Sequence, residues 1–138
     1  TRVEDEANVR DAYEKEGLSC LVRPFFDDMA RLYQRADLLI CRAGATTVAE
    51  ITAIGKIAIF IPYPFAANNH QVLNAQILTN ADAGEMILQE NLSGRAIAER
   101  IEFYASNPQA LERMASRAKR FGRSDAAETI VDDWVRLC

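Results

Sequence analysis

This chain of 138 residues contains one histidine and three cysteines, and it has no excess of basic over acidic residues. The single histidine, His70, excludes a metal site built from several imidazoles. The three cysteines lie too far apart for a CxxC metal or redox pair, and such usage fits a reducing, cytoplasmic setting. Sixteen basic against 20 acidic residues give a net charge of −4, so the basic field needed for sequence-independent nucleic-acid binding is missing.

Long apolar runs are also missing, since no run approaches the roughly 20 residues that span a bilayer, and no signal peptide is visible. The hydrophobic share of 49% and charged share of 26% are typical of a globular domain, and the length suits one domain. Because the chain begins with Thr1 and reaches its first strong strand only after a helix, we expect it to be part of a longer protein.

Strand and helix patterns alternate through the first ninety residues, followed by a helical tail. Strands are predicted at residues 18–23, 37–41, 57–61 and 84–88. Helices are predicted around Val9–Tyr13 with Gly17 as the stop, after the capping candidates Asp27 and Asp28, at 46–54 with Gly55 as the stop, at 68–80, after the cap Ser93, at the start Asn107-Pro108, and after Asp125. This alternation, with continuous apolar strands, predicts an α/β fold with a doubly wound parallel sheet. Ligands of such sheets bind at the carboxyl ends of the strands, here residues 24–28, 42–47 and 62–71.

The most informative segment is 42–50, between a predicted strand and a predicted helix. Gly44 between two alanines leaves the backbone bare for a bulky anion, Thr46 and Thr47 add hydroxyl donors, and Glu50 lies on the same helical face. A carboxylate can accept both hydroxyls of a ribose diol. Alternatively, Gly44 only makes a tight turn, the threonines only cap the helix, and Glu50 is a solvated surface residue.

Polar side chains crowd the second segment, where Asn68, Asn69, His70 and Gln71 open a predicted helix. Neutral donors and acceptors suit sugar hydroxyls, although an asparagine N-cap with solvated neighbours explains the pattern equally well. His70 as a general base is the weaker alternative, because no neighbouring residue is expected to orient it. In the segment 24–28, Phe25 and Phe26 either belong to the core, or one of them flanks a nucleobase.

Three stretches closely resemble the MurG-type glycosyltransferases: Phe-Phe-Asp-Asp-Met at 25–29, Ala-Asp-Leu-Leu-Ile-Cys-Arg-Ala-Gly-Ala-Thr-Thr-Val-Ala-Glu at 36–50, and Pro-Tyr-Pro at 62–64 with His-Gln at 70–71 and Asn-Ala at 74–75. The resemblance implies the C-terminal half of a GT-B fold, which has two Rossmann-like domains. It implies inverting transfer of N-acetylglucosamine from UDP-N-acetylglucosamine to undecaprenyl-pyrophosphoryl-N-acetylmuramyl-pentapeptide, which converts lipid I to lipid II in bacterial peptidoglycan synthesis and so serves cell shape and division. No metal or other cofactor is implied.

Carried over by position, the resemblance implies that the backbone of Phe26 reads uracil. It places Ala45, Thr46 and Thr47 against the diphosphate and its sugar, Glu50 on the ribose, and His70 and Gln71 on the N-acetylglucosamine; Arg42 and Gly44 complete the predicted donor site. No residue is assigned as catalytic. Residues 1–138 are therefore interpreted as a partial donor-binding domain, inactive alone, without the N-terminal acceptor domain through which a full-length enzyme would bind lipid I and the inner face of the plasma membrane.

Two other interpretations stay open. The chain could belong to another GT-B UDP-sugar transferase subunit that acts on a polyprenol-linked lipid, or it could be a non-catalytic nucleotide-binding module. Asn68 and Asn69 replace a more acidic pair that is common among the proteins it resembles, so the sugar contacts are the least specific part of the prediction.

Overall fold

The computed structural model of this chain describes residues 2–137, in two compact units divided after Leu32. In the first unit, a 3₁₀ turn at Val3–Asp5 leads into helix α1 (Glu6–Lys15). The chain then turns at Gly17, whose φ of 67° lies in the left-handed region that commonly ends helices. The predicted helix and its glycine stop are both confirmed.

The predicted strand at 18–23 is wrong, because none of these residues forms a strand. Leu18 and Leu21 are 56% and 63% exposed. A strand needs a neighbour for its backbone N–H and C=O groups, and no described strand pairs with this segment. Helix α2 (Met29–Arg35) follows, and the Asp28 carboxylate accepts a hydrogen bond from the Arg31 N–H at 2.9 Å, as the predicted cap requires.

The second unit contains a parallel three-stranded sheet of order β1-β2-β3. Its strands are β1 (Leu39–Cys41), β2 (Ala58–Phe60) and β3 (Glu85–Met86). Helix α3 (Ala45–Ile54) connects β1 to β2, and α4 (His70–Thr79) lies between β2 and β3. The three strands predicted for this region are therefore confirmed with shorter bounds, and the sheet is parallel as expected.

Helices cover both faces of this sheet. All three residues of β2 are buried, which explains their continuous apolar sequence. Because side chains alternate along a strand, Ala58 and Phe60 face one side with the core cluster, and Ile59 faces the other with its register partner Glu85. Tyr104 and Arg100 of helix α5 (Gly94–Ser106) donate hydrogen bonds to the Glu85 carboxylate. The predicted α/β class with helices on both faces is confirmed.

The tail continues with α6 (Pro108–Lys119) and α7 (Ala126–Leu137). The Ser93 hydroxyl accepts from the Ala96 N–H at 3.1 Å, and Pro108 is the first residue of α6, so both predicted helix starts are confirmed. Helix α6 contacts α3 and α5. Within residues 2–137, no helix combines the length and apolar character needed to cross a membrane.

Candidate functional site

The candidate site lies at the carboxyl edge of the sheet, where three strands end side by side. The Ile61 N–H donates to the Cys41 carbonyl at 2.8 Å, and the Ile87 N–H donates to the Phe60 carbonyl at 2.9 Å. These bonds fix the start of each following loop relative to its neighbour. Two predicted segments, 42–47 and 62–71, therefore follow adjacent strands, whereas the prediction that 24–28 follows a strand is wrong.

Gly44 is the N-cap of α3, with φ −65° and ψ 148°. The first bond of the helix runs from the Val48 N–H to the Gly44 carbonyl at 2.9 Å, and no side chain caps this end. The N–H groups of Ala45, Thr46 and Thr47 therefore lack intrahelical partners, as the first turn of a helix requires. The alternative in which the threonines cap α3 is wrong, because they lie inside the helix. The helix start instead presents the bare backbone predicted from sequence.

Glu50 lies on α3 with an exposed side chain, three and four residues after Thr47 and Thr46. Its Oε2 accepts a hydrogen bond from the Tyr33 hydroxyl at 3.1 Å. Burial first, and then the bond to the Glu50 carboxylate, raise the pKa of Tyr33 to about 12. The phenol therefore keeps its proton at neutral pH and remains a donor, so Glu50 is oriented within the protein and not simply solvated.

Arg42 binds the neighbouring loop. Its Nη1 donates to the carbonyls of Ile61 and Pro62 at 3.0 and 3.1 Å, and its guanidinium carbon lies 5.7 Å from the centre of the Tyr63 ring. Arg42 thus joins the loop after β1 to the loop after β2. These contacts give it a structural role, and its predicted contact with a donor substrate stays a prediction.

His70 and Gln71 begin α4 and contact the same loop. The Gln71 Oε1 accepts from the Tyr63 N–H at 3.0 Å, which leaves the amide NH₂ group as a donor. The His70 Nδ1 lies 2.8 Å from the Ala67 carbonyl. Because a carbonyl only accepts, this contact assigns the proton of a neutral imidazole to Nδ1 and leaves its Nε2 as an acceptor. The expectation that nothing orients His70 is therefore wrong.

Asn68 and Asn69 shape the turn before α4. Their φ angles of 50° and 54° lie in the left-handed region, which asparagine tolerates better than most residues. Asn69 stands at the N-cap of α4 but makes no side-chain capping bond. The alternative of an asparagine N-cap is therefore confirmed in position by Asn69, although its side chain makes no capping bond.

Phe26 lies in the first unit and is half-buried. It lines a cavity of about 430 Å³ with Val9, Tyr13 and Cys20. Phe25 is 75% exposed, so the interpretation of both phenylalanines as core residues is wrong for Phe25. The backbone contact of Phe26 with uracil stays a prediction from the family resemblance.

Two residues of the site were missed from sequence, Tyr33 and Asn74. The Asn74 Nδ2 donates to the carbonyl of Ala43, a fully buried residue, at 3.0 Å and so ties α4 to the turn before α3. The only sequence signal was that Asn74 belongs to the stretch 74–75 in the family resemblance.

The loop after β3 was missed as well: it lines a cavity of about 400 Å³. That cavity is bordered by Pro62, Pro64, Asn69, Val72, Leu88, Gln89 and Glu90.

Replacing Asn74 with leucine is expected to lower the free energy of unfolding by about 1–3 kcal/mol, because the Ala43 carbonyl would lose its partner in a buried position. Urea unfolding of this variant beside Asn80→Leu, which changes an exposed residue, measures the effect. Asn74→Asp, which exchanges the donor for an acceptor, is expected to be at least as destabilising. If Asn74→Leu and Asn80→Leu lower the free energy of unfolding by amounts that agree within about 0.5 kcal/mol, the stabilising role of the Asn74–Ala43 hydrogen bond is contradicted.

Other reactive groups give no competing centre within residues 2–137. No group of three histidine, cysteine, aspartate or glutamate side chains in this range is arranged to hold a metal ion. Burial raises the pKa of Cys41 to about 11, so its thiol stays protonated at neutral pH. Because the thiolate is the reactive form, Cys41 is a poor nucleophile.

Known proteins resemble this chain along nearly its whole length. The model of the glycosyltransferase family 28 C-terminal domain matches residues 1–130. UDP-N-acetylglucosamine–N-acetylmuramyl-(pentapeptide) pyrophosphoryl-undecaprenol N-acetylglucosamine transferase of Geotalea uraniireducens is 46% identical over 99% of this chain and 37% of its own length. The enzyme of the same name from Syntrophus aciditrophicus is 48% identical over 91% of this chain and 35% of its own.

The crystal structure of MurG from Acinetobacter baumannii superposes with a TM-score of 0.85 at 32% identity. This match covers 95% of the present chain and 40% of the crystallised one. The similarity therefore includes both the sequence and the three-dimensional arrangement. This chain spans well under half the length of each of these proteins.

Proposed function

Because this chain belongs to the glycosyltransferase family 28 C-terminal domain family, which is the C-terminal domain of a GT-B fold, we propose that it forms the donor-sugar site of a hexosyltransferase. The proposed reaction transfers N-acetylglucosamine from UDP-N-acetylglucosamine to undecaprenyl-pyrophosphoryl-N-acetylmuramyl-pentapeptide. The names of the relatives state this donor and this acceptor. The proposed product is lipid II, and the proposed pathway is peptidoglycan synthesis.

One observation carries the donor-site proposal: the open N-terminus of α3 and the Glu50 carboxylate lie on one helix that begins at the carboxyl edge of the sheet. The N–H groups of Ala45, Thr46 and Thr47 suit the oxygens of a diphosphate. Glu50, about one turn farther along, suits the ribose diol. Diphosphate and ribose are adjacent in UDP, so the order along the helix matches the order along the ligand.

The same helix start supports the chemistry. In the proposed inverting transfer, a hydroxyl of the acceptor attacks the anomeric carbon while the bond to the diphosphate oxygen breaks. Negative charge then develops on the departing UDP. Hydrogen-bond donors fixed before the reaction stabilise such charge most effectively, and the backbone N–H groups after Gly44 are fixed by the helix itself. We propose that these groups make a metal ion unnecessary.

Selectivity for the sugar is proposed to come from the start of α4. The Gln71 NH₂ group can donate to a sugar oxygen while Oε1 holds the Tyr63 N–H, and His70 Nε2 can accept from a sugar hydroxyl. Neither residue is proposed to abstract a proton. The acceptor and membrane contacts are proposed to belong to the full-length enzyme, peripheral on the inner face of the plasma membrane, where a polyprenol-linked acceptor resides.

Calorimetric titration of this chain with UDP-N-acetylglucosamine, UDP-glucose, UDP and a GDP-sugar tests the proposal. We expect binding of the three uridine nucleotides, tightest for UDP-N-acetylglucosamine, no binding of the GDP-sugar, and no change when EDTA is added. Absence of any UDP-dependent heat would overturn the donor-site proposal. Equal affinity for the GDP-sugar would indicate a general nucleotide-binding module, and equal affinity for UDP-glucose would indicate another UDP-sugar transferase.

A further inference from the structure

The Tyr33 hydroxyl is the one described side-chain partner of the Glu50 carboxylate. Tyr33 lies on α2 and Glu50 on α3, so the bond joins the helix that precedes β1 in the chain to the helix that follows it. Glu50 is exposed, and a free glutamate at such a position samples several rotamers. The hydrogen bond at 3.1 Å selects the rotamers that bring Oε2 to the phenol.

The bond leaves Glu50 able to bind a ligand. An ionised carboxylate offers about four acceptor positions on its two oxygens, and the phenol uses one of them. A ribose diol needs two. The phenol also keeps its proton throughout the neutral range, because burial and the carboxylate raise the pKa of Tyr33 to about 12. The phenol is therefore the donor of this bond and the carboxylate is its acceptor.

We propose that Tyr33 is a positioning residue that holds the Glu50 carboxylate ready for the two ribose hydroxyls and so contributes to the choice of ribonucleotides over deoxyribonucleotides. This inference rests on the proposed donor site and adds a residue to it. A carboxylate that is already ordered loses less side-chain entropy when the diol binds. The benefit is limited to ligands that carry the diol, because other ligands make no use of the carboxylate.

The test compares UDP with 2′,3′-dideoxy-UDP on the 138-residue chain and its Tyr33→Phe variant. The variant keeps the aromatic ring and removes only the oxygen that binds Glu50. We expect it to bind UDP about 2- to 10-fold more weakly, which corresponds to the ordering of one side chain, while the affinity for dideoxy-UDP is unchanged. In a Glu50→Ala background, Tyr33→Phe is expected to have no further effect on UDP affinity.

Tyr104→Phe is the matched control, because it breaks a tyrosine–glutamate hydrogen bond of the same kind, to Glu85 on the opposite face of the sheet. It is expected to lower the free energy of unfolding without changing the ratio of the affinities for UDP and dideoxy-UDP. If Tyr33→Phe weakens both nucleotides equally, or neither, the positioning role is overturned and the donor site stands. If the unmodified chain binds no UDP, the donor-site proposal fails and this inference fails with it.

Discussion

Replacing Glu50 with glutamine is expected to weaken UDP binding by about 10- to 100-fold. Hydrogen bonds to a charged partner contribute about 1.5–3 kcal/mol, and glutamine exchanges one acceptor oxygen for an NH₂ donor that cannot accept from the ribose. Its remaining oxygen can still accept from Tyr33, so the local packing is preserved. Titration with UDP measures the loss, and dideoxy-UDP is expected to bind both proteins alike because it lacks the hydroxyls.

The control for this change is Glu99→Gln, which neutralises an exposed helical glutamate on α5 that pairs with Arg95. Both substitutions remove one negative charge from an exposed helix, so a difference between them reports on position and not on net charge. Stability is expected to change little in either protein, as is usual for exposed sites. UDP affinities of Glu50→Gln and Glu99→Gln that agree within about twofold would contradict the assignment of Glu50 to the ribose.

The helix that carries Glu50 was predictable because local signals agree along it. The sequence has a continuous apolar strand, then a glycine flanked by alanines, then an apolar helix that ends at Gly55. Together these signals predict a turn at Gly44 between the strand and the helix. The positive φ of 69° at Gly55 confirms the glycine stop. Predictions that depend on neighbours close in sequence, such as the Ser93 and Asp28 caps, were confirmed for the same reason.

Contacts between distant segments were not predictable. Tyr33 is 17 residues from Glu50, and Asn74 is 31 from Ala43, so no periodicity links either pair. Arg42 was assigned to the substrate from its place after a strand, but its carbonyl partners belong to the next strand's loop. The false strand at 18–23 has the same origin: apolar residues suggested burial, and a strand forms only where another strand pairs with it.

Phe60→Ala is expected to have the largest effect on stability, about 3–5 kcal/mol, because the ring is fully buried at the end of β2, the central strand of the sheet. Gly84 lies against that ring: a Cβ at residue 84 would come within 2.9 Å of the Phe60 Cε2 and 3.3 Å of the Ala58 carbonyl oxygen. Gly84→Ala alone should therefore be destabilising by about 1–3 kcal/mol, since neither the packed ring nor the strand backbone can move away freely.

Combining the two substitutions separates the clash of a residue-84 methyl group with the Phe60 ring from the effect that each substitution has alone. In the Phe60→Ala background the ring is gone, so the added methyl group fills part of the cavity, and Gly84→Ala should be close to neutral. Urea unfolding of the four proteins gives a coupling energy, expected at about 1–3 kcal/mol, and Phe60→Leu replaces Phe60→Ala if the latter does not fold. An equal cost of Gly84→Ala in both backgrounds would instead assign the strain to the Ala58 carbonyl, which both backgrounds retain.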